Sequence, residues 1–176
     1  DPGNRPTACS PASPDREPGS VQKPVPSGDT YYHTLLAMQY EREGKSEEAL
    51  AEYERALAED QESPFLLTQA GMALTRLNRS KEALVYLEKA KALQPSSFRT
   101  LNVLGDLYAT GGEIDKATAT YEELIAQKPK EMESYLILAR LFLAQKNTDR
   151  AIATIERGVQ ADPTSAIGPY YLAKLF

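Results

Sequence analysis

The stretch GKSEEALAEYERALAED, residues 44–60, decides the fold, because the chain repeats it in altered wording at a fixed interval. It returns 34 residues on as NRSKEALVYLEKAKALQP from Asn78, again as GEIDKATATYEELIAQKP from Gly112, and again as KNTDRAIATIERGVQADP from Lys146. A constant period of this length marks a supersecondary unit that cannot bury its apolar face alone and does so by stacking on copies of itself.

Each period holds two helical patterns. In the first, Tyr32, Leu35, Leu36 and Tyr40 recur at helical spacing, Gly44 interrupts, and Ala49, Leu50, Tyr53, Ala56 and Leu57 mark a second helix. Ser46, Ser80 and Thr148 stand where N-caps of the second helices are expected, with Glu47, Glu82 and Asp149 in the first turn; Asp115 takes this part where Ile114 replaces the cap. Ser63 followed by Pro64 reads as a cap and first-turn pair.

Residues 1–28 differ in kind. They hold seven of the twelve prolines, no aromatic residue, and three acids against three bases, a composition too poor in apolar surface to offset the entropy of ordering. They read as a disordered or polyproline linker ahead of a domain over residues 29–176. The only cysteine, Cys9, falls there, and with His33 as the only histidine neither a disulfide framework nor a Cys/His zinc site is expected.

Composition narrows the function classes. With 41% hydrophobic and 26% charged residues the 176-residue chain is that of a globular protein. A formal net charge of -5 argues against nucleic-acid binding and polybasic membrane docking, and no apolar run is long enough to span a bilayer. The chain starts at Asp1 rather than Met, in keeping with a leader that is either removed or not included in this sequence. No nucleophile–base pair, tuned carboxylate pair or phosphate loop stands out, so no catalysis and no cofactor are expected. His33 falls at a packing position, and glutamate-rich runs such as EREGKSEEALAEYERALAED read as solvated helix faces.

The repeated unit resembles the tetratricopeptide repeat. Its pattern is met by Leu36, Ala37, Tyr40, Ala49, Tyr53 and Ala56; by Leu67, Ala70, Gly71, Leu74, Ala83, Leu87, Ala90 and Pro95; by Leu101, Leu104, Gly105, Tyr108, Ala117, Tyr121 and Pro129, with Leu124 in place of the second Ala; and by Tyr135, Leu138, Ala139, Phe142, Ala151, Ile155, Gly158 and Pro163. The resemblance implies an all-α, right-handed solenoid of four repeats, over about residues 30–63, 64–97, 98–131 and 132–165, with residues 166–176 forming a partial fifth or a capping helix.

It also implies a protein-interaction module, not an enzyme, that holds a partner peptide or helix in a concave groove. The family lines this groove at positions here held by Tyr31, Thr34, Met38, Glu41 and Arg42; Phe65, Thr68, Met72, Thr75 and Arg76; Arg99, Asn102, Asp106, Ala109 and Thr110; and Glu133, Leu136, Arg140, Leu143 and Ala144. Two regimes are expected: an apolar one of Tyr31, Met38, Phe65 and Met72, and a polar one of Arg99, Asn102, Asp106, Glu133 and Arg140, in which Asp106 and Arg140 are placed to pair with each other. The family's carboxylate clamp is not matched, since Thr34 and Met38 replace its Lys and Asn, and of its asparagine ladder only Asn102 is present. Two other readings stay open: a regulatory segment of a larger enzyme, in keeping with the partial last unit, and a scaffold that forms homo-oligomers through the apolar ends of the stack. The wording EEALAEYERAL reads as bacterial. Cys9 reads first as a spacer thiol in the linker, and TAC at residues 7–9 leaves lipid attachment as the alternative, although Pro6 stands where Leu is usual; cell envelope and cytoplasm both stay open as locations.

Overall fold

The computed structural model describes residues 27–175, and among these there are nine α-helices and no strands. They are α1 (Gly28–Arg42), α2 (Ser46–Glu59), α3 (Pro64–Arg76), α4 (Ser80–Leu93), α5 (Phe98–Thr110), α6 (Ile114–Gln127), α7 (Met132–Ala144), α8 (Thr148–Ala161) and α9 (Ile167–Leu175). Odd and even helices pair as hairpins, and each even helix packs in turn on the next odd one, which gives the all-α solenoid. Cys9 and the sequence ahead of Ser27 lie outside the described residues.

The turn inside each hairpin repeats with the sequence. Gly44, Asn78, Gly112 and Lys146, one per period, all have positive φ, at 74°, 59°, 77° and 59°. The next residue closes a six-residue ring back onto the preceding helix, with Lys45 N donating to Tyr40 O at 2.9 Å and its counterparts Arg79 to Leu74, Glu113 to Tyr108 and Asn147 to Phe142 at 2.8–2.9 Å. This closure satisfies carbonyls the helix end leaves open, and it needs a left-handed residue, which explains glycine at two of the four sites.

The same closure corrects the expected caps. Lys45, Arg79, Glu113 and Asn147 hold the cap positions, so Ser46, Ser80 and Thr148 are already helical, and only Asn147 caps with its side chain, accepting from Arg150 N at 3.2 Å. Three of the odd helices, α1, α3 and α5, carry side-chain caps, and α7 does not. Ser27, Ser63 and Ser97 each accept a backbone N–H three residues on, and Pro64 opens α3. Because Ser27 caps α1, the helix starts at Gly28, which the sequence reading had placed in the linker.

Within each hairpin a small residue of the odd helix faces a large one of the even helix. Tyr53, Leu87, Tyr121 and Ile155 are all at most 2% exposed. A Cβ added at Gly71 would lie 2.6 Å from Leu87 Cγ, and one at Gly105 would lie 2.9 Å from Tyr121 Cζ. Ala49, Ala83, Ala117 and Ala151, at 0% exposure, line the same seam one per repeat. Leu124, which departs from the small residue of its register, is fully buried. Replacing Gly71→Val forces either Leu87 or the helix axis to move, and overpacking of this kind costs about 1–3 kcal/mol. Urea unfolding should show that loss, and Leu87→Ala in the Gly71→Val background should cost less than Leu87→Ala alone.

Candidate functional site

The odd helices present their free surface along one side of the stack, and two cavities open there. The first, of about 440 Å³, lies over α5 and α7 and is closed at one end by Tyr171 of α9. Asn102, Asp106, Glu133 and Arg140 line it together with Leu136, Ile137 and Leu143. The second, of about 620 Å³, lies over α1, α3 and α5 and is lined by Leu35, Met38, Glu41, Arg42, Gln69, Arg76 and Arg99.

This distribution differs from the expected division into an apolar and a polar half. Arg99, grouped by sequence with the polar residues further along, sits beside Met38 in the second cavity. Tyr31 and Phe65 are about half exposed, at 55% and 48%, and Met72 is half-buried. Thr68 does not face the groove. It is buried, with its hydroxyl 2.8 Å from that of Thr100 and donating to Pro64 O, because α3 and α5 approach closely there.

A polar chain runs across the N-terminal cavity. The Tyr53 hydroxyl donates to Glu41 Oε2 at 3.0 Å, and Glu41 also binds the Arg76 guanidinium. Gln69 Nε2 donates to the Tyr53 oxygen at 3.2 Å, and Arg99 Nη1 donates to Gln69 Oε1 at 3.1 Å. Residues of α1, α2, α3 and α5 are thereby tied at one seam. Charged pairs of this kind hold register more than they add stability. The sequence carried a signal for it: Glu41, Arg76 and Arg99 all stand at groove positions, yet only the fold brings Tyr53 and Gln69 between them.

In the C-terminal cavity the expected pairing of Asp106 with Arg140 does not form. Asp106 Oδ1 accepts from the Tyr121 hydroxyl at 2.6 Å, and the second-helix tyrosine takes the carboxylate from below. Arg140 is exposed and binds no carboxylate among the described residues. The arginines divide accordingly. Arg55, Arg76, Arg79 and Arg157 pair with Glu52, Glu41, Glu82 and Glu122, and Arg150 lies 4.2 Å over the Phe142 ring. Arg42 and Arg99 bind only a backbone carbonyl and a neutral amide. Among the described residues, the arginines with neither a carboxylate nor a ring partner are Arg42, Arg99 and Arg140, and all three line the groove.

His33 lies off this surface. Its Nδ1 is 2.6 Å from Glu52 Oε2, and Glu52, 6% exposed, is the exception to the solvated reading of the glutamate-rich run. Among the described residues no cluster of His, Cys, Asp or Glu could hold a metal ion, and no helix is long and apolar enough to cross a membrane.

The sequence profile of the tetratricopeptide repeat matches residues 34–98 and 102–166. The chain belongs to the tetratricopeptide repeat family. No curated protein sequence matches it significantly. Among solved structures, MamA from Desulfovibrio magneticus RS-1 is 20% identical with a TM-score of 0.75, the match covering 86% of this chain and 85% of that one. YrrB, described as a TPR protein with an unusual peptide-binding site, is 20% identical with a TM-score of 0.71, over 84% and 75% of the two chains. The first TPR of Spaghetti (RPAP3), bound to the HSP90 peptide SRMEEVD, is 23% identical with a TM-score of 0.64, over 69% and 99%. At these identities the likeness is one of fold. In this tetratricopeptide repeat chain the groove therefore has to be read from its own residues.

Burial raises the pKa of Tyr53 to about 12, with the nearby Glu41 charge acting in the same direction and the Gln69 hydrogen bond opposing it. Burial and the hydrogen bonds to Asp106 and Glu88 push Tyr121 and Tyr108 up as well. Since the folded value of Tyr53 exceeds the ordinary 10, its neutral form contributes stability that is complete below pH 10 and lost as pH rises through 12. Urea midpoints measured between pH 10 and 12 should fall less steeply for Tyr53→Phe than for the parent. The slope that remains belongs to the other buried tyrosines, and equal slopes would show that Tyr53 ionises as freely folded as unfolded.

Proposed function

We propose that this protein is a non-enzymatic interaction module, an adaptor or assembly factor, that holds an extended or helical segment of a partner protein along the concave groove. One observation carries the reading: among the described residues, the arginines left without a carboxylate or ring partner, Arg42, Arg99 and Arg140, all line the two cavities of that groove. An arginine fork that finds no anion among the described residues is suited to a carboxylate from a partner. Exposed apolar side chains share the N-terminal cavity with Arg42 and Arg99, with Leu35 at 66% and Met38 at 38% exposure, and Tyr31 and Phe65 are exposed on the same odd helices, α1 and α3. Adaptable methionine and rigid aromatic surface next to charged groups suits inserted partner side chains. The two solved relatives whose descriptions mention a peptide, YrrB and the Spaghetti repeat, lend the reading the support of a shared fold.

The test is affinity capture from the source organism with the full chain, beside a variant carrying Phe65→Ala and Arg140→Glu. Loss of two groove anchors should weaken a bound partner by about tenfold or more, while circular dichroism shows an unchanged helical fold. A partner retained equally by both proteins would place its contact elsewhere on the surface.

A further inference from the structure

The two cavities of the groove carry opposite charge. Around the N-terminal one stand three guanidinium groups, Arg42, Arg76 and Arg99, against the single carboxylate of Glu41, and Arg76 already binds that carboxylate. Around the C-terminal one stand two carboxylates, Asp106 and Glu133, against the single guanidinium of Arg140. This sits on a chain whose net charge is -5, so the basic end is a local inversion of the overall field. Apolar surface is mixed into the basic end, since Leu35 is 66% exposed and Met38 lies on the same wall.

We infer that the α1–α5 end of the groove seats an acidic segment of a partner protein bearing aliphatic side chains, while Asp106 and Glu133 turn such a segment away from the α5–α7 end. The inference rests on the groove reading above and adds the chemistry and placement of the ligand. Arg42 and Arg99 supply the free forks. Arg76, held by Glu41, and the Tyr53–Gln69 link fix the wall between them, so that Arg99 is presented from a hydrogen-bonded Gln69 instead of a loose side chain. Leu35 and Met38 receive the aliphatic positions. Attraction at one end and repulsion at the other select which part of a partner lies over which repeats.

The experiment uses the full chain and three fluorescein-labelled heptapeptides: an acidic one, Leu-Glu-Asp-Leu-Glu-Glu-Leu; a neutral one with Gln and Asn in place of the acids; and a basic one with Lys and Arg in their place. Fluorescence anisotropy should show the acidic peptide bound about tenfold more tightly than the neutral one, with the difference shrinking as salt is raised. Arg42→Glu with Arg99→Glu should abolish that preference. Arg140→Glu should weaken binding less than that pair does, and Lys81→Glu, the same charge change away from the groove on α4, should leave binding unaltered. The inference is overturned if the basic or neutral peptide binds as well as the acidic one. It is overturned equally if Arg140→Glu costs as much as the Arg42 and Arg99 pair, or if no peptide binds. A basic peptide that binds and is lost on Glu133→Lys would sink the assigned polarity yet leave the groove reading standing. If no peptide binds, the partner capture decides the groove reading independently.

Discussion

Every repeat depends on one close approach, that of a small residue on the odd helix to a large side chain on the even helix. At Gly71 and Gly105 there is no room for even a methyl group against Leu87 and Tyr121. Where the small residue is alanine, at Ala37 and Ala139, it is buried to 2% exposure or less. That contact sets the distance between the helices of a hairpin, and the hairpin distance sets the tilt at which the next repeat stacks. The groove follows from it, because odd helices held at a constant offset must expose the same face to the same side.

The contact also links fold to binding surface. Tyr53 and Tyr121 press their rings into the seam and pass their hydroxyls through to the groove, where they reach Glu41 and Asp106. Core tyrosines thus hold the two groove carboxylates Glu41 and Asp106 in place; Glu41 still takes Arg76, whereas Asp106 takes no arginine among the described residues. Asp106 is held by Tyr121 rather than by Arg140, and Arg140 is left available. In the N-terminal repeats Glu41 is shared between Tyr53 and Arg76, and Arg42 and Arg99 go without.

Most of the fold was legible in the sequence because a fixed period restates each constraint four times, and chance agreement in one repeat is corrected by the other three. The local punctuation was less legible. Ser46, Ser80 and Thr148 have good cap chemistry, but a left-handed residue followed by a six-residue ring closure moves the cap one position earlier, and that is a property of backbone geometry with only Gly44 and Gly112 as its visible trace. The partners of the groove side chains were not legible. The residue that engages Asp106 stands 15 positions away on the other helix of the hairpin, and the buried contact of Thr68 is with Thr100, 32 positions away. Side-chain pairing across helices is decided by reach and angle, which a one-dimensional pattern does not contain. Glu52 shows the same limit. In a run of glutamates it reads as solvated, yet the fold buries it against His33.

The account stands on the concave face being the surface that meets a partner. The most direct measurement places photoreactive benzoylphenylalanine at Phe65 and at Leu143 in the groove, and in a separate protein at Val85, which is 67% exposed on α4. Irradiation in the cells that make the protein should join one and the same partner to the Phe65 and Leu143 positions and leave the Val85 position unlinked. Crosslinks from Val85 with none from the groove would contradict the account and assign the interaction to the even-helix face.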